Sequence, residues 1–149
     1  VQKRYALRNI AIALALTHKE RLHRVEVLND LIQSKAASYR SPSNVDGFPH
    51  AQGARDPVAS AVVGMESVQV QRDAEQNRIN AVDWALKYVC DYQRPEDEQA
   101  IREALLTYFE DKDAANAIID SRTSISQPAF ILMRQNFIRQ ILKYLHLTN

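Results

Sequence analysis

Between Gln127 and Gln135 the chain carries Gln127, Phe130, Ile131, Arg134 and Gln135, side chains whose chemistry suits the edges of DNA bases. A glutamine amide matches the donor and acceptor of adenine, and a guanidinium matches the two acceptors of guanine. An apolar side chain can rest on the thymine methyl. These five are the candidate base-reading residues. Around them Arg122, Ser124, Ser126, Arg139 and Lys143 supply cations and hydroxyls suited to backbone phosphates, contacts that fix orientation without reading sequence. From Arg122 to Asn149 there are four basic and no acidic residues, directly after a stretch (95–121) with two basic and eight acidic. An acid-free segment is what a surface facing a polyanion needs. The net charge of +1 for the whole chain conceals this.

Other chemistries find little support. His18 and His23 are five positions apart and share a helix face poorly, whereas a zinc pair on a helix prefers a spacing of about three or four. His50 and His146 have no evident carboxylate partner. Cys90 sits beside a heptad residue in a tyrosine-flanked run and reads as a partly buried core thiol rather than a nucleophile. Glu96, Asp97 and Glu98 follow Pro95 and have the form of a first helical turn, where the helix dipole favours carboxylates. No phosphate-cradling glycine loop is present. Trp84, Tyr88 and Tyr92, spaced by four, read as core or interface. The expectation is a protein without catalysis, metal, cofactor or small-molecule substrate.

The elements that must position the basic segment are helices. With 3 Gly, 5 Pro and 46% hydrophobic residues in 149, the composition argues against a turn-rich sandwich or barrel and against a disordered chain. Residues 2–39 contain no Gly or Pro. Leu7, Ile10, Ala11 and Leu14, then Leu22, Val25, Leu28 and Ile32, recur at helical steps, with a bend expected near His18 and Lys19. Residues 41–57 hold Pro42, Gly47, Pro49, Gly53 and Pro57 and cannot continue a helix; an ordered loop is expected there. Asp56-Pro57 then starts a helix to about Gln93, whose seam of Met65, Val68, Ile79, Val82, Leu86 and Val89 is interrupted by Arg72 and Glu75.

Three further helices are expected at roughly 95–109, 113–120 and 127–146. Ala114, Ala117 and Ile118 face inward on the second. On the third, capped by Ser126 with Pro128 in its first turn, Ala129, Met133, Phe137, Ile141 and Leu145 form the inward stripe. A short helix, a tight turn and a longer basic helix are the parts of a helix-turn-helix. The expected fold is therefore all-α: an N-terminal helical hairpin (1–94), acting in oligomerisation, followed by a helix-turn-helix region (95–149). The apolar surface left on the long helices favours a homodimer. No apolar run is long enough to span a membrane, and no signal-peptide architecture is visible. The single cysteine fits a reducing cytoplasm. The start at Val1 suggests a trimmed N-terminus.

Two parts of the sequence together resemble a known family. The segment ASYRSPSNVDGFPHAQGARDPVASAV, through Ser41, Pro42, Asp46, Gly47, Pro49 and Asp56, is similar to the loop between the first helices of ArpU-type phage transcriptional regulators. The segment LLTYFEDKDAANAIIDSRTSISQPAFILMRQNFIRQIL, through Tyr108, Ile125, Ser126, Phe130 and Arg134, resembles their closing helix-turn-helix, related to RinA-type activators and to region 4 of sigma factors. Pro128 and the apolar Ile131-Leu132-Met133 depart from that pattern. The resemblance implies a phage or prophage protein of Gram-positive bacteria that binds double-stranded DNA and activates late genes in the host cytoplasm. It also implies host RNA polymerase as a partner and no cofactor. The competing expectations are a helical protein–protein adaptor and a small-terminase-like packaging protein.

Overall fold

The structure is a computed structural model that describes residues 2–40 and 57–147, and the side chains of 2–36 and 64–147. The loop read at 41–57, with Gly47, Pro49 and the Asp56 cap, lies outside the described residues apart from Pro57, the first residue of a helix. Every regular element among the described residues is helical. They are α1 (Gln2–Leu16), α2 (His18–Arg40), α3 (Pro57–Cys90), α4 (Glu98–Thr107), α5 (Lys112–Arg122) and α6 (Gln127–Tyr144), with a 3-10 turn at Pro95–Asp97. No described helix is long and apolar enough to cross a membrane.

The bend expected near His18 falls at Thr17, and its cause is local. The Thr17 hydroxyl donates to the Ala13 carbonyl at 2.7 Å while accepting from Arg21 at 2.9 Å. Back-bonding of this kind competes with the helical carbonyl and bends the axis. The backbone ladder persists on both sides, Thr17 N–H to Ala13 O at 3.0 Å and Arg21 N–H to Thr17 O at 2.9 Å. Between those two bonds the helical ladder is interrupted, and Thr17 separates α1 from α2.

The chain divides into two compact units. One comprises the chain up to Arg21 together with the chain from Asn77 onward; the other is Leu22–Gln76. Within the smaller unit, Arg24 on α2 lies 3.5 Å from Glu75 on α3, and Arg72 donates to Asn29 at 3.0 Å. The polar break in the α3 seam is thus a matched polar layer, with Glu75 buried beside a cation on the other helix.

The larger unit holds the main core, which draws on α1 (Ala11, Leu14, Ala15), the second half of α3 (Val82, Leu86, Val89), α4 (Ile101, Leu105), α5 (Ala115, Ile119) and α6 (Phe130, Phe137, Ile141). Two expectations need correction, and a third is narrowed. Ile10 and Leu22 are exposed, because Ala11 and Ala15 give the closer approach on α1 and the bend at Thr17 re-aims the face. On α5 the inward face is one residue later than read: Ala115 and Ile119 are fully buried and Ala117 is exposed. With alanines in adjacent positions, Ala114 and Ala115, the sequence pattern cannot fix that phase. Of the two alternatives read for Trp84, Tyr88 and Tyr92, core or interface, the first is excluded: all three are exposed, Trp84 lying 6.1 Å from the Tyr144 ring.

His18, the first residue of α2, is buried, with Nε2 3.3 Å from Asp83 Oδ1 on α3 and Nδ1 shielded without a partner among the described residues. Burial holds its pKa below the ordinary 6.5; Asp83 opposes the shift and Arg21 adds to it. The folded state therefore favours the neutral imidazole. Its contribution to stability is fully present above pH 6.5 and is lost as pH falls through that value towards the lowered folded pKa. The stability advantage of the native chain over His18→Gln, measured by urea unfolding, is expected to shrink between about pH 7.5 and about pH 5. An advantage constant over that interval would refute the neutral assignment.

Candidate nucleic-acid interface

α5 and α6 are each started by a side-chain cap. Asp111 Oδ1 accepts the Ala114 N–H at 3.1 Å, and Ser126 Oγ accepts the Ala129 N–H at 3.3 Å, as the sequence suggested for Ser126. The connection between them is held by its own hydroxyls: Thr123 donates to the Ile119 carbonyl at 2.7 Å and accepts from the Ile125 N–H at 3.2 Å. α6 ends with His146 at φ 56°, the left-handed region, and with Leu147 N–H donating to the Leu142 carbonyl at 2.8 Å. This closure satisfies carbonyls of the last turn. Both ends of the basic helix are therefore fixed by local sequence.

The expected inward stripe of α6 holds: Met133, Phe137 and Ile141 are buried, and Ala129 and Leu145 half-buried. The candidate base readers separate into distinct environments. Phe130, expected to face outward, is fully buried, its ring 6.1 Å from that of Tyr108. It cannot touch a base edge without unpacking the core, and it is removed from the reading set. The reason is geometric: a stripe through positions 133, 137 and 141 widens to include 130, three before 133. Gln127 turns towards α5, its amide donating to Asp120 Oδ1 at 2.7 Å and to the Asn116 carbonyl at 3.3 Å. Ile131 and Gln135 are exposed. Arg134 is half-buried, its guanidinium carbon 3.7 Å from the centre of the Tyr108 ring and 5.2 Å from that of Phe130.

The candidate phosphate contacts divide similarly. Arg122 is paired with Glu103 at 2.6 Å, and Ser124 donates to the buried Asp97 carboxylate at 3.4 Å. Ser126 is occupied as the cap. Arg139 and Lys143 are exposed and lie on the same side of α6 as Ile131, Leu132 and Gln135. The solvent face of α6 thus begins apolar, with Ile131 43% and Leu132 65% exposed, and becomes polar and then basic along its length.

One residue that sequence reasoning missed belongs here. Arg8 on α1, exposed, lines a cleft of about 230 Å³ with Phe109, Ile131, Arg134, Gln135 and Ile138. Nothing local to Arg8 marks it, since it joins the cleft only through the packing of α1 against α6. Among the described residues no group of three or more His, Cys, Asp or Glu is placed to hold a metal. The Cys90 thiol is buried, which raises its pKa above the ordinary value and keeps it protonated.

Comparison of the chain with protein-family models, with curated proteins and with solved structures gave no match.

Proposed function

We propose that this chain is a DNA-binding transcriptional regulator of phage or prophage origin that works through a helix-turn-helix made of α5 and α6. The observation that carries the reading is an acid-free α6, capped by Ser126 and tied to α5 by Gln127, that offers Gln135, Arg139 and Lys143 to solvent. Gln135 and Ile131 are then the base readers and Arg139 and Lys143 the backbone contacts. The α2–α3 pair serves as a helical hairpin for dimerisation, which matches a two-fold operator. Activation of late genes, contact with host RNA polymerase and action in the bacterial cytoplasm rest on the resemblance to ArpU-type and RinA-type regulators alone.

A second reading has an observation of its own. Exposed Ile131 and Leu132 on the first turns of α6 suit a protein partner, as in a helical adaptor. Fluorescence anisotropy with duplex fragments of phage genomic DNA separates the two. The regulator binds one fragment in preference to the others, and binding weakens steeply with salt as counterions are released. Absence of duplex binding at low salt would leave the adaptor as the better account. Footprinting of the preferred fragment then distinguishes a promoter-proximal operator from a packaging site.

A further inference from the structure

Arg134 is an arginine whose charge has no counterion among the described residues. No carboxylate pairs with it or with Arg8 among the described residues, and the two line one cleft. The Arg134 Nε is shielded from solvent and makes no hydrogen bond among the described residues. An uncompensated donor on a charged group is costly to bury, and such a group normally acquires an acceptor. The Tyr108 ring under the guanidinium, itself edge-on to Phe109 at 5.3 Å, fixes the plane of Arg134. A planar cation held on an aromatic face leaves its terminal N–H groups, which unlike Nε are not shielded, able to meet an oxyanion in the cleft. Arg8 from α1 brings a second cation and Gln135 an amide to the same cleft. The volume, about 230 Å³, lies below the roughly 300–1,000 Å³ of pockets that enclose drug-sized ligands, and suits a single tetrahedral group.

We infer that the Arg8–Arg134 cleft is a phosphate-binding site, and that the phosphate is a backbone phosphodiester of duplex DNA. The choice of DNA as its source rests on the function proposed above; the affinity for a phosphate group does not. Arg134 thereby changes role from reader of guanine to anchor of the backbone. Arg8 becomes a DNA contact contributed from the opposite end of the chain.

The test follows the Arg134 Nε–H resonance of the full-length protein during titration with inorganic phosphate, at an ionic strength held constant with chloride, and separately with the preferred duplex. Phosphate is expected to shift this resonance saturably, and the duplex to shift it too. The exposed Arg8→Gln change, which leaves the core untouched, is expected to weaken both phosphate and duplex binding by about tenfold, the worth of one charge-assisted hydrogen bond. Loss of phosphate binding in Arg8→Gln with duplex affinity unchanged would overturn DNA as the source and assign the cleft to a free phosphorylated ligand. No saturable phosphate shift, with Arg8→Gln binding duplex as the native chain does, would overturn the site while leaving the regulator reading intact. Phosphate binding in a chain that binds no duplex would do the reverse.

Discussion

Replacing Phe130 with Ala is expected to destabilise the protein by about 3–5 kcal/mol, the usual cost of emptying a fully buried aromatic site. The ring is 0% exposed and packs where α6 meets the end of α4, 6.1 Å from Tyr108. Its loss leaves a cavity that also removes one of the two rings beside Arg134. Domains of this size are stable by only about 5–15 kcal/mol in total, so the variant approaches the threshold of folding at ambient temperature. Urea unfolding should show a lowered midpoint with an unchanged slope. Ile131→Ala, next to it but 43% exposed, should cost no more than about 1 kcal/mol. A base-reading Phe130 would behave in the opposite way, with stability within about 0.5 kcal/mol of the native chain. That result would return Phe130 to the interface and require a different packing for α6.

The second large effect is on the salt dependence of DNA binding. Arg139 and Lys143 are exposed on the outer side of α6, and neither makes an ion pair among the described residues. If each neutralises one phosphate, the double change Arg139→Ala, Lys143→Ala should make the slope of log affinity against log salt shallower by about 1.8, at about 0.9 for each phosphate. Affinity should fall on all sequences alike, because backbone contacts carry no base information. Stability should change by less than about 0.5 kcal/mol, since both side chains are in water. An unchanged slope in a folded double variant would separate the basic end of α6 from the DNA. The exposed Ile131–Leu132 surface would then become the more informative part of the helix.

The helices themselves were legible because their causes are local. A Gly- and Pro-free run, Pro57 at a helix start, the Ser126 cap and the four-residue stripe through Met133, Phe137 and Ile141 each act within a turn or two of chain. The bend near His18 was visible as a gap in the apolar pattern, though its agent, the Thr17 hydroxyl, was not. The polar interruption at Arg72 and Glu75 was visible too. That it meets Asn29 and Arg24 could not be known before α2 was set against α3. The candidate site was less legible than the helices. Gln135, Arg139 and Lys143 stand where the pattern put them, whereas Phe130 and the facing of α5 do not.

By itself, then, the sequence determined the all-helical character, the order and approximate bounds of the helices, and the acid-free charge of the last one. Propensity, capping and periodicity operate over a few residues and need no knowledge of neighbours. Only the tertiary structure decided which side of a broad apolar face is inward, since several rotations satisfy the same period and the partner surface selects among them. Packing against Tyr108 drew Phe130 into the core and laid Arg134 across an aromatic ring. Packing of α1 on α6 brought Arg8 to the same cleft from more than a hundred positions away. Contacts at that sequence separation leave no local imprint on either segment, because each residue satisfies its own helix equally well with or without the other.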